Sequence, residues 1–137
     1  MNITKNFTLE ELLHSDTAIQ RGFLEQTQPP KGVIENAIKL TENILQPLRD
    51  AYGKSITVNC CYRCPRLNLA VGGVVSSQHL DAKAADITAG SQAENKKLFD
   101  LIQSLNLPFD QLIDEKNYSW IHVSFDQARN RKQILHL

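Results

Sequence analysis

At 137 residues the chain has the length of one domain, enough for a single buried core. Fifteen Lys and Arg balance fifteen Asp and Glu, which argues against nucleic-acid binding through bulk positive charge. A content of 42% hydrophobic and 22% charged residues is that of a folded chain, not a disordered one.

The stretch Met1-Asn2-Ile3-Thr4-Lys5-Asn6-Phe7 lacks the apolar run of a signal peptide, and no segment approaches the ~18 apolar residues of a membrane span. The expectation is a protein that is cytoplasmic as synthesised and has no membrane partner. Thr8-Leu9-Glu10-Glu11 has capping-box spacing and predicts a short helix from Leu9. Residues 15–32 read as a loop or broken helix ending in Pro29-Pro30 and Gly32. From Val33, the positions Ile34, Ala37, Ile38, Thr41, Ile44, Leu45 and Leu48 recur at helical spacing on one face. Pro47 predicts a kink or an early end, and Gly53 closes the segment. A strand is expected at Ile56-Thr57-Val58. Pro65 then opens a short helix that ends at Gly72-Gly73. Ala84–Thr88 reads as a second strand. Ser91-Gln92-Ala93-Glu94 is another capping box, opening a helix with Leu98, Leu101, Ile102 and Leu105 on one face. Two strands follow, near 109–114 and 120–125, and residues 129–137 hold room for an edge strand. Helices first and then mixed strands and helices indicate one α+β domain spanning residues 1–137.

In Ile121-His122-Val123-Ser124-Phe125 the apolar residues alternate with His122 and Ser124, so His122 points away from the core on a rigid strand. Pairing this strand with 109–115 across the loop Lys116-Asn117-Tyr118-Ser119 sets Ile113 opposite His122 and Glu115 opposite Trp120. Glu115 then lies diagonal to His122 on the same face, and Asp114 faces the other way. A slip of one residue would exchange the two acids. His79 and Asp86 form a second cluster. Taken alone they also fit a loop histidine and a hydrogen-bonding aspartate. Together with His122 they offer three donors of the kind that catalytic zinc uses. Cys61-Tyr62-Arg63-Cys64 is a C-x-x-C, but it has no second cysteine pair to complete an all-thiolate site. Three cysteines within five positions read as free thiols in a reducing compartment. His14 and His136 have no neighbours that suggest chemistry.

Ser77-Gln78-His79-x-x-x-x-Ala84-Ala85-Asp86-Ile87 followed by Trp120-Ile121-His122-Val123-Ser124 resembles the zinc D-Ala-D-Ala carboxypeptidase family. Asn6–Leu12, Leu48-Arg49, Tyr62-Arg63-Cys64-Pro65-x-Leu67-Asn68, Val71-Gly72-Gly73 and Phe109–Glu115 extend the likeness from about residue 6 to 135. The resemblance implies the Hedgehog/DD-peptidase fold, a small antiparallel sheet against N-terminal and central helices. It implies Zn2+ on His79, Asp86 and His122, with Glu115 as general base and Arg63 on the substrate's carbonyl oxygen or terminal carboxylate. Ser77, Gln78 and Trp120 would line the pocket, and Asp110 would brace a ligand histidine or simply end a turn. The implied substrate is a peptidoglycan peptide, cut as a carboxypeptidase or endopeptidase by a monomer of phage-endolysin type that reaches the wall after release. A non-catalytic zinc-containing binding or structural module on the same fold is the alternative. Retention of Glu115 and Arg63 speaks against it. Two positions depart from the pattern. Cys60-Cys61 stand where Ser-Gly is usual, and Ala82 stands where a glycine is usual.

Overall fold

A computed structural model describes all 137 residues. Thr8 caps the first helix, α1 (Leu9–Leu13). Its hydroxyl accepts from the Glu11 amide, and the Glu11 carboxylate accepts from the Thr8 amide. Helix α2 (Asp16–Arg21) ends at Gly22 in the left-handed conformation, and a 3₁₀ turn, Leu24–Thr27, follows. The broken helix expected over 15–32 therefore has these two pieces.

The long apolar stripe forms α3 (Lys31–Leu40), a π-helical turn (Thr41–Leu45) and α4 (Gln46–Tyr52), and Gly53 terminates it at φ 78°. Pro47 does not end the helix. Where an α-helix would lose the donor that Pro47 lacks, the ladder has already widened: the Gln46 amide bonds back to the Thr41 carbonyl, five residues earlier. Val33, Ala37, Leu40, Thr41, Ile44, Leu45 and Leu48 are buried, whereas Ile34 and Ile38 lie half-buried on the flank. Thr41 is fully buried, and its hydroxyl donates to the Ala37 carbonyl at 2.8 Å.

Strands β1 (Thr57–Cys60), β2 (Ala84–Thr88), β3 (Gln111–Glu115), β4 (Trp120–Ser124) and β5 (Gln133–His136) form one sheet in the order β1-β2-β4-β3-β5. All neighbours are antiparallel except β3 and β5, which no short loop joins. Between β1 and β2 come α5 (Pro65–Ala70) and a 3₁₀ turn, Gln78–Asp81. Between β2 and β3 comes α6 (Gln92–Ser104). Leu98, Phe99 and Ile102 are the buried face of α6, and Leu105 lies past its end, about 40% exposed. Ser91 caps α6, but Glu94 turns to Tyr52 and Lys97 instead of closing the box.

The hairpin register is the expected one, with Glu115 opposite Trp120 and Ile113 opposite His122. Buried Asn95 holds its loop. Its amide nitrogen donates to the carbonyls of Tyr118 and Ser119, and its oxygen accepts from the Ala89 amide at 2.6 Å. No helix is long and apolar enough to cross a membrane.

Candidate metal centre

The sheet assembles the site in a single row. Asp86 pairs with His122, and His122 with Ile113. On the other side, Cys60 pairs with Asp86 because a β-bulge shifts the register between Val58 and Cys60. Strict alternation would give Cys60 the side of Val58. The extra residue, Asn59, turns Cys60 to the Asp86 side and leaves Cys61 in the core. The sequence reading missed this, because a bulge has no signature in the pattern of apolar residues.

His79 comes from the 3₁₀ turn before β2 and is buried. Its Nδ1 lies 2.7 Å from the Cys61 carbonyl. A carbonyl only accepts, so Nδ1 carries the hydrogen and Nε2 faces Asp86 Oδ1 at 3.3 Å. His122 Nδ1 lies 3.1 Å from the same oxygen. Burial disfavours a charged His79, yet Asp86 and the Cys60 thiol outweigh it and hold its pKa up at about 10. Burial likewise acts to raise the Asp86 pKa, but hydrogen bonds from His122 and His79 hold it well below the usual carboxylate range. The pocket thus favours a positive charge between the rings and the carboxylate.

Two donors bound at ~2.0–2.1 Å to one tetrahedral ion lie roughly 3.3 Å apart, a separation each histidine keeps from Asp86 Oδ1, although His122 is not in the group of ligand atoms that lie mutually within 4.8 Å. The anchored Nδ1–H of His79 is the usual way an imidazole is oriented toward a metal. Cys60, His79 and Asp86 also offer ligand atoms that all lie within 4.8 Å of one another. Burial drives the Cys61 thiol pKa upward, so that sulfur stays a neutral core group.

Ala82 takes the left-handed conformation at φ 57° while fully buried, so the position that usually holds glycine keeps its backbone shape with alanine. Arg63 is tied to the same turn. Its amide donates to the His79 carbonyl at 2.9 Å, and its Nη2 reaches Ser77 Oγ at 3.3 Å. Ser77 also accepts from the His79 amide. Gly73 leaves room for this arrangement, since a Cβ there would lie 2.1 Å from Asn68 Oδ1 and 3.0 Å from Arg63 Nη1. Arg63, Cys60 and Asp86 line a cleft of about 360 Å³ whose far wall is His14, Ser15, Asp16 and Thr17. A larger apolar groove between α1, α2 and the first 3₁₀ turn lies apart from the metal-ligand cluster.

Gln78 does not turn its amide group to the cleft's cations or donors. Its Nε2 donates to Asp110 at 2.9 Å. Asp110 in turn binds Arg131 through both oxygens and contacts no histidine, so the expected brace on a ligand ring is a brace on the residue before it. Glu115 and Trp120 share the His122 face at the loop end of the hairpin, and Asp114 points away to Tyr118 and His136.

Sequence reasoning also missed Gln26. It is buried, donates to the carbonyls of Leu13 and Tyr62 at 2.8 Å, and accepts from the Cys64 amide at 2.9 Å. It therefore clamps the segment that carries Arg63, and a polar residue in a broken helix gave no hint of this.

The family model described as Peptidase M15 matches residues 5–124, most of the chain. No curated protein matches it significantly.

Proposed function

From the premise that this chain belongs to the peptidase M15 family, whose members are zinc-dependent metallopeptidases, we propose that it hydrolyses peptide bonds in the stem peptides or cross-links of peptidoglycan. The observation that carries this reading is the row joining Asp86 to His122, with His79 Nε2 against the same carboxylate oxygen. His79, Asp86 and His122 would hold the metal. Zinc there supplies Lewis-acid chemistry, polarising a peptide carbonyl and making water a nucleophile at neutral pH. Glu115, diagonal to His122, takes the proton of the attacking water and returns it to the leaving amine as the C–N bond breaks. Arg63 donates to the carbonyl oxygen as negative charge builds on it, or to the terminal carboxylate of a substrate. Ser77 acts on substrate by holding Arg63, and Gln78 by fixing the His79 turn against Asp110. Trp120 supplies an apolar wall next to Glu115. The working form is a monomer that acts on the wall after release from the cell that makes it, as a phage lysis enzyme does.

Purified muropeptides incubated with the zinc-loaded protein should yield peptide fragments, and mass spectrometry of them identifies the bond cut. Glu115→Gln should retain zinc and fold while losing at least ~100-fold in rate. His122→Ala should lose bound zinc by elemental analysis. Near-normal turnover by Glu115→Gln, or zinc retained in a variant carrying both His122→Ala and Cys60→Ala, overturns the assignment.

A further inference from the structure

Cys60 is the one group in the metal row that the proposed reaction leaves unused. The bulge at Asn59 puts its Cα opposite that of Asp86, on the face that carries His122. Its sulfur lies 3.8 Å from His79 Nδ1, the ring nitrogen held by the Cys61 carbonyl, and lines the same cleft as Asp86 and Arg63. It is half-buried, unlike Cys61 and Cys64, whose sulfurs belong to the core. The thiol, imidazole and carboxylate donors already fall within 4.8 Å of one another. Donors that share one ion at about 2.3 Å (sulfur) and ~2.0–2.1 Å (nitrogen, oxygen) lie ~3.5 Å apart, so Sγ has to move from the Nδ1 side of His79 toward Nε2 to join them.

We propose that Cys60 is a fourth protein ligand of this centre, giving a His79, Asp86, His122, Cys60 donor set. The inference rests on the zinc reading of the site made above. As the sulfur–metal bond forms, the thiol's S–H bond breaks and its proton passes to solvent. One carboxylate and one thiolate then balance the two charges of the ion, where one carboxylate leaves an excess of one. A thiolate also biases the site toward softer ions such as zinc and cadmium over magnesium or manganese. Four protein donors would complete a tetrahedron, so the attacking water gains a place on the ion only when the Cys60 thiolate leaves it or the ion becomes five-coordinate.

The test is optical and does not depend on turnover. One equivalent of Co2+ is added to the metal-free full-length protein, and the near-ultraviolet is scanned for the thiolate-to-cobalt charge-transfer band. The wild type should show the band. Cys60→Ser should lose it while still binding one Co2+, with zinc affinity at least ~10-fold weaker in competition with a chromogenic chelator. Cys60→Ala serves as a second variant in which serine oxygen cannot substitute. Bound cobalt with no band in the wild type, or a band that persists in both variants, overturns the proposal and leaves the three-ligand zinc reading standing. Failure of the wild type to bind cobalt or zinc overturns both.

Discussion

Two buried polar residues, Gln26 and Asp110, set the geometry of the site without standing in it. Gln26→Ala removes the partners of one amide and two carbonyls at once. It should cost about 2–4 kcal/mol in urea denaturation, since each buried orphan group costs ~1–3 kcal/mol and water reaches some of them. Activity should fall further than stability, because Arg63 is carried on the released segment. Asp110 is fully buried against the half-exposed guanidinium of Arg131, which holds its pKa down at about 2 against an ordinary 3.8. A carboxylate depressed in the folded state contributes stability above its unfolded pKa and loses it on acidification. The contribution of Asp110, about 2 kcal/mol, is therefore complete above pH ~4 and drains away between pH 4 and 2. Asp110→Asn should remove that part of the pH dependence, seen as a difference in denaturation midpoints between variant and wild type across this window. Neither role could be read in the sequence. A glutamine in a broken helix and an aspartate before a strand have many uses, and only the fold shows which neighbours they meet. The shared face of His122 and Glu115, and that of Asp86, were legible because alternation and a four-residue loop fix side-chain direction, whereas His79, in a turn, was singled out through the resemblance.

The elements divide in the same way. Capping residues Thr8 and Ser91 mark their helix starts, and Gly53 marks a helix end, because local hydrogen bonding and φ decide those positions. The π turn and the bulge at Asn59 were invisible, since each adds a residue to a ladder without changing the kind of residue present. The π turn makes an unusual prediction for Pro47. A mid-helix proline ordinarily costs ~3 kcal/mol, so its removal should stabilise. Here the widened turn has already absorbed the missing donor. Pro47→Ala should therefore change stability by less than about 1 kcal/mol, and a loss is as consistent with it as a gain, because alanine loosens the unfolded chain. A gain of 3 kcal/mol in chemical denaturation would show that the turn is strained by the proline.

At the scale of the molecule, the residues proposed to hold the metal come from four separate segments, at Cys60, His79, Asp86 and His122. An ion held among them binds the folded chain and not the unfolded one, so its binding free energy adds to folding stability. Calorimetry should show a melting temperature that drops on treatment with a chelator and recovers with zinc. A melting temperature indifferent to both would mean that the folded protein holds no metal. The row also sits across β1, β2 and β4, and β2 and β4 are inner strands whose amides are paired on both sides. Such amides exchange with solvent only when the whole sheet opens, so those of 85–87 and 121–123 should be among the slowest to take up deuterium. Local fraying at either end of the chain leaves these strands intact, so Asp86 and His122 keep their places until the sheet itself opens.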